Sequence, residues 1–257
     1  MKFWRTWLFA LIALGLGAYI YVVERPRIAE ESGPDFVLDV EVPRVSALKL
    51  RYPAEPEIEV ERTGSEWRIR QPIEFPADSD VVEGLLRQIA ETKAERRIKI
   101  ADAEPLATYG LDGDGKQARV SITMDGGERL PDLIVGQTTP VGYSAFARLE
   151  GRDEIVVAPL LLHTGVKKSV FDLRDKQMFD VDPTHVTAIE IGGGERTVRI
   201  ERRGDDWMMV KPLQTPADPD QARALLSSLN AVRAFEFYDA PVEGLQVVDR
   251  YTLKLKL

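Results

Sequence analysis

Apolar and polar residues alternate along several short stretches of this chain, with the two-residue period that is typical of half-buried β-strands. Three such stretches come early, at residues 45–52, 58–61 and 67–70. After a Pro-rich segment, the next apolar residues have the spacing of one face of a helix: Val82, Leu85, Leu86 and Ile89. Asp78 or Asp80 is suited to cap the start of that helix. The pattern therefore predicts three strands followed by a helix.

The same pattern recurs later in the chain, where Trp207 takes the place of Trp67. Residues 64–86 and 204–226 share nine identities in order and without a gap. In the second copy these residues are Gly204, Trp207, Pro212, Pro216, Ala217, Asp218, Asp220, Leu225 and Leu226. The matching predicted strands are residues 186–191, 198–201 and 207–210. The chain therefore contains a duplicated unit of antiparallel sheet and helix.

The first copy continues beyond its helix, whereas the second stops early. A short helical turn is predicted at residues 105–111, ending at Gly110. Further strands are predicted at residues 118–124, 132–135, 144–149 and 154–157, and a helical segment at 160–169. Residues 251–257 align with the strand at 118–124, as expected of a truncated or a shortened second copy. We therefore expect an α+β fold, with a first repeat domain at residues 36–177 and a second, incomplete one at 178–257.

The N-terminus carries a mostly apolar run without any charged residue, from Thr6 to Val23. At about 1.5 Å per residue, such a run is long enough to cross a bilayer core. A cleaved signal peptide is the competing interpretation, but the end of the run has bulky residues where a cleavage site needs small ones. The run therefore predicts an uncleaved transmembrane helix at residues 6–23. Ala13 and Gly17 fit a small-residue packing pattern, which gives weak support for a homodimer.

The charges beside this run predict its orientation. Lys2 and Arg5 precede it, so the positive-inside rule favours a cytoplasmic tip at residues 1–5. Residues 24–35 are then a linker, and the bulk of the chain lies on the periplasmic side of the inner membrane. Residues 1–27 carry a net charge of +3, so the remainder carries −11. An acidic remainder argues against nucleic acid as a partner.

The chain has no cysteine and two histidines. It therefore has no thiolate metal site and no cysteine nucleophile, and we expect no cofactor. Asp112–Gly115 resembles the start of an EF-hand loop, but position twelve of that loop is Thr123 rather than Glu. Residues 192–194 are three glycines, but they join two strands and no Lys-Ser/Thr follows. Both segments are predicted to be turns, so no metal site and no cofactor-binding residue is assigned.

Two further groups of residues have a functional and a structural interpretation. Trp67 and Trp207 suit ligand stacking, but their presence in both copies favours a role in the core. The second group lies close together in the sequence: His163, Lys167, Lys168 and Ser169, followed by Asp172 and Asp175. A Ser–Lys or Ser–His nucleophile requires one buried cluster, whereas lysine–aspartate pairs on a solvated helix face are more common. We assign no catalytic residue, and His185 receives no role.

Several motifs together resemble a bacterial domain-of-unknown-function family of membrane-anchored envelope proteins. They are the predicted N-terminal anchor, the repeated Trp-x-x-x-x-Pro…Pro-Ala-Asp, Tyr109-Gly-Leu111 and Asp172-Leu-Arg-Asp175. Members of that family are often encoded beside gliding-motility-type ABC transporter subunits, so the resemblance implies such a complex as partner. The expected function is a non-catalytic envelope accessory protein. The alternatives are an extracytoplasmic glycan- or peptide-binding module and a hydrolase of unknown class.

Overall fold

The computed structural model describes residues 35–113, 117–193, 196–238 and 251–256. These residues form two compact units, the first ending at Arg174 and the second beginning at Asp175. The strands of the first unit are β1 (Val45–Arg51), β2 (Ile58–Thr63), β3 (Glu66–Gln71), β4 (Phe75–Pro76), β5 (Arg96–Lys99), β6 (Ala118–Met124), β7 (Leu133–Thr138), β8 (Ser144–Leu149) and β9 (Glu154–Pro159). Its helices are α1 (Ser79–Glu91), α2 (Leu160–Gly165) and α3 (Val170–Leu173), and 3₁₀ turns occur at Val42–Arg44, Ile100–Asp102 and Leu106–Tyr109.

The first unit is built on one antiparallel sheet of nine strands, in the order β4-β3-β2-β1-β6-β7-β8-β9-β5. The predicted apolar stripe of α1 is buried against it: Val82, Leu85, Leu86 and Ile89. A smaller cluster contains Leu111, Ile134 and Ile155. Successive strand residues face opposite sides of a sheet, so this cluster lies on the face opposite α1. The sheet is therefore covered on both faces, and the interior strand β7 starts with four buried residues.

The second unit repeats this arrangement with β10 (Ala188–Gly193), β11 (Arg196–Arg203), β12 (Asp206–Lys211), β13 (Thr215–Ala217), α4 (Pro219–Asn230) and β14 (Tyr251–Lys256). Its strand order, β13-β12-β11-β10-β14, matches β4-β3-β2-β1-β6 of the first unit. The register shifts between Glu59 and Val60 in one unit and between Arg199 and Ile200, the corresponding positions, in the other. The duplication seen in the sequence therefore extends to strand order and register.

Local details of the two copies also correspond. Asp78 accepts a hydrogen bond from the backbone of Val81 at 3.2 Å and caps α1, and Asp218 caps α4 in the same way. Of the two aspartates proposed for each cap, the first is the one that is used. A cis peptide bond precedes Pro72 and Pro212. Neither cis bond follows from the pattern of apolar and polar residues.

The predicted fold class, α+β with an N-terminal transmembrane helix, is wrong. The described residues form fourteen strands and four α-helices, of which the longest has 13 residues. In these ranges no helix is long and apolar enough to cross a membrane. The predicted anchor, residues 6–23, lies outside the described residues. The described residues are mostly antiparallel sheet with little helix. Short strands without an alternating pattern add to that sheet, such as β5, which forms by pairing with the distant strand β9.

The predicted helical segment at residues 160–169 is also interrupted. α2 ends at Gly165, and α3 begins only after Ser169, whose backbone is extended. Ser169 caps α3, and an N-cap residue has non-helical torsion angles, so one continuous helix through it is not possible. The break places Lys167 and Lys168 on a linker between two short helices.

Candidate functional site

A cavity of about 340 Å³ lies beside the linker between α2 and α3. The walls come from β6, β7, the chain after β1 and the segment from α2 to α3, and they include Tyr52, Gly136, His163, Lys167, Lys168, Ser169 and Asp172. Five of these residues belong to the cluster that the sequence singled out. Asp175, the sixth, does not line the cavity. The structure therefore brings the His, Lys and Ser candidates together, and it adds Tyr52 and Gly136.

His163 is hydrogen-bonded through both ring nitrogens. Its Nδ1 lies 2.9 Å from the carbonyl oxygen of Gly136, and its Nε2 lies 2.8 Å from Nζ of Lys167. Since a carbonyl only accepts and an ammonium only donates, Nδ1 carries the proton and Nε2 accepts. Burial and the charge of Lys167 both lower the pKa of His163. The imidazole is therefore neutral, with its acceptor nitrogen already engaged.

Gly136 allows strand β7 to lie close to the 3₁₀ turn at Leu106–Tyr109. A Cβ atom at this position would lie 2.3 Å from the carbonyl oxygen of Tyr109, a distance that no real Cβ contact shows. The glycine belongs to β7, which positions its carbonyl oxygen for His163. Only glycine therefore allows this strand to pack here and hold the histidine.

Ser169 is engaged in capping α3. Its hydroxyl oxygen accepts from the backbone N–H of Asp172 at 3.1 Å and donates to the carboxylate of Asp172 at 2.8 Å. The backbone N–H of Ser169 also donates to that carboxylate, which completes a capping box. A nucleophilic serine needs its proton directed at a base such as His or Lys. The hydroxyl of Ser169 is directed at the cap, so the geometry favours a structural role.

Tyr52 holds the linker against the sheet. Its hydroxyl donates to the carbonyl oxygen of Val166 and accepts from the backbone N–H of Lys168 at 3.1 Å. Burial raises the pKa of Tyr52 to about 12. Tyr52 was not singled out by sequence reasoning, because it lies far from the linker along the chain. The only signal was an amphipathic aromatic residue at the end of a predicted strand.

The other sequence candidates lie elsewhere. Trp67 is 1% exposed and Trp207 is 4% exposed, so both are core residues and neither ring has a face open for stacking. His185 is exposed and lies 3.3 Å from the carboxylate of Asp182. Gly192 and Gly193 end strand β10, whereas Gly194 lies outside the described residues.

The predicted turn at 112–115 is described only in part. Residues 112 and 113 form a bend, and residues 114 and 115 lie outside the described ranges. In the part of the chain that the structure describes, no three His, Asp or Glu side chains are grouped as metal ligands. Most of the residues that the sequence singled out thus lie around the cavity beside α2.

Comparison with known proteins identifies a family. The model of DUF4340, a domain of unknown function, matches residues 67–251, which is more than half of the chain and includes parts of both units. No curated protein and no solved structure matches the chain. The predicted resemblance to a domain-of-unknown-function family is confirmed at that level.

Proposed function

We propose that this chain, which belongs to the DUF4340 family, works by contact as a non-catalytic accessory protein of a bacterial membrane complex. Its partners in this proposal are subunits of an ABC-type transporter. The observation that carries the proposal is the outer edge of β14, defined here as the side of this strand that faces away from β10. The sequence prediction of an inner-membrane location stays a prediction.

The outer edge of β14 differs from its counterpart in the first unit. β6, which matches β14, lies between β1 and β7. Among the described residues, no strand lies on the outer side of β14. Within the described residues the backbone N–H and C=O groups on that side have no strand partner, and our proposal is that a strand from another protein pairs with them. Strand addition is therefore the mode of contact that this edge supports.

The side chains of β14 support the same conclusion. Val120 and Ile122 of β6 are fully buried. Their counterparts, Leu253 and Leu255, have matching partners in the ladder but are only half-buried against the second core. A further strand beside β14 would cover these leucines, as β7 does in the first unit. Burial of this apolar surface would add to the backbone hydrogen bonds.

The opposite face of β14 indicates which strands would pair well. Thr252, Lys254 and Lys256 are exposed there, and Lys254 lies 3.2 Å from the carboxylate of Glu190. Lysines on an edge strand discourage indiscriminate pairing. Opposite charges on adjacent strands attract, so a partner strand with acidic residues across from Lys256 would be favoured.

The polar groups beside α2 also support a non-catalytic role. The Ser169 hydroxyl is engaged with Asp172, and His163 is held neutral between Gly136 and Lys167. Both groups stabilise the linker between the two helices. A serine hydrolase would instead require a serine aligned with a base and an oxyanion site.

Site-specific cross-linking in intact cells tests the proposal. A photoreactive residue at Thr252 on β14 is expected to capture an ABC transporter subunit. The same residue at Arg203, which is exposed but lies on the inner strand β11, is the matched control and should capture none. Capture of a different membrane protein would contradict the transporter assignment. Cross-links only within this chain would contradict contact through β14 altogether.

A further inference from the structure

An arginine is anchored beside the core tryptophan in each of the two units. Arg62 on β2 and Arg202 on β11 occupy matching positions of the repeat. Nη1 of Arg62 donates to the carbonyl oxygen of Pro43 at 2.9 Å, and Nη1 of Arg202 donates to that of Thr184 at 3.0 Å. The duplicated fold therefore holds both guanidinium groups by an equivalent bond.

In the first unit this arginine is neutralised. Its guanidinium carbon lies 4.8 Å from the centre of the Trp67 ring, and its Nη2 lies 2.9 Å from the carboxylate of Glu83 on α1. The two side chains are partly buried, so their ion pair is screened less than a fully exposed pair. The charge of Arg62 thus has a carboxylate partner within the fold.

In the second unit the residue that matches Glu83 is Arg223, on α4. Arg223 pairs with Asp220 on its own helix. Among the described residues, Arg202 has no carboxylate within ion-pair distance, and its side chain donates to the carbonyl oxygens of Thr184 and Gly204. The second unit therefore has two arginines where the first has an Arg–Glu ion pair: Arg223 pairs with Asp220 on its own helix, and Arg202 is held by carbonyl oxygens.

These two guanidinium groups line a cavity of about 310 Å³, together with Trp207, Pro183, Pro219 and Asp205. Arginine presents a planar set of donors that matches a carboxylate, and its charge strengthens each hydrogen bond. The indole edge and the two prolines supply an apolar wall. Asp205 in the lining and Asp220, which pairs with Arg223, are the two carboxylates that oppose these positive charges.

We propose that this cavity binds a small organic carboxylate, with the anionic group on Arg202 and Arg223 and the apolar body against Pro183, Pro219 and the edge of the Trp207 indole. The first unit cannot bind it, because Glu83 already occupies the corresponding arginine. This site is independent of strand addition at β14, so either proposal stands if the other fails.

Titration of the full-length, detergent-extracted protein with benzoate tests the proposal by calorimetry, with inorganic phosphate as the comparison. We expect saturable binding of one benzoate per chain, tighter than that of phosphate because the wall contacts the ring. Arg223→Glu recreates the pairing of the first unit and should weaken benzoate binding about tenfold or more, the loss of one charge-assisted hydrogen bond. Asp205→Asn removes one opposing charge and should strengthen binding.

Arg203→Glu makes the same charge change at an exposed position of β11 that does not line the cavity. This control should bind benzoate as the unaltered protein does. Equal losses in Arg203→Glu and Arg223→Glu would show that only overall charge matters and would overturn the site. Absence of saturable benzoate binding would also overturn it, and equal affinity for phosphate would overturn the carboxylate assignment.

Discussion

Replacement of Trp67 by alanine tests the assignment of the repeated tryptophans to the core. Trp67 is 1% exposed and packs in the main apolar cluster of the first unit, beneath α1. Truncating a buried Trp to Ala costs about 3–5 kcal/mol through lost burial and the cavity left behind. The lost contact between the ring and Arg62 adds about 0.5–1 kcal/mol. Conversely, Trp67 Nε1 has no hydrogen-bond partner among the described residues, so removing it deletes an unsatisfied donor.

The lost contact with Arg62 and the removal of the unsatisfied Nε1 donor oppose each other. We therefore expect the free energy of unfolding of the first unit to fall by about 3–5 kcal/mol. Because the chain has two units, one unfolding curve for the whole protein would mix their transitions. Hydrogen exchange measured by mass spectrometry at increasing urea concentrations reports on each unit separately. Peptides from β1 to β3 should lose protection at lower urea in Trp67→Ala.

Tyr143→Ala is the matched control, because it also truncates an aromatic side chain in the first unit but one that is 81% exposed. Its effect should stay within about 0.5 kcal/mol. A loss below about 1 kcal/mol for Trp67→Ala would refute the core assignment. The stacking hypothesis would then have to be considered again.

Two predictions concern pH. The pKa of Tyr52 is about 12 in the folded chain and about 10 when unfolded, so its contribution to stability is complete below pH 10 and is lost as the pH rises towards 12. In urea titrations at several pH values, Tyr52→Phe should reduce the fall in the free energy of unfolding over this pH range. An unchanged fall would contradict the role of the Tyr52 hydroxyl. The lowered pKa of His163 means that its stabilising effect is present above pH 6.5 and is lost as the pH falls through its folded pKa. In NMR titrations, Lys167→Met should raise that pKa, and an unchanged value would argue against the contact between Lys167 and His163.

Local patterns in the sequence were sufficient for much of the repeated unit. Alternation predicted β1, β2 and β3 and their counterparts to within one or two residues in most cases, because a half-buried strand has to present apolar side chains to one face. The apolar stripe of α1 and its cap at Asp78 followed for the same kind of reason, since helix faces and caps involve residues only three or four positions apart. The duplication was visible because both copies need the same core.

The remaining features depend on contacts between residues far apart in the chain. β5 has no alternating pattern, and it is a strand only because its backbone pairs with β9. The cavity beside α2 required Tyr52 and Gly136 to meet a linker that follows them much later in the sequence. The sequence showed that position 83 holds Glu and position 223 holds Arg, but only the fold showed that Glu83 pairs with Arg62 and that Arg223 lines one cavity with Arg202. Sequence patterns determined the elements, because these form from neighbouring residues; the tertiary structure decided the sites, because these form where separate elements pack together.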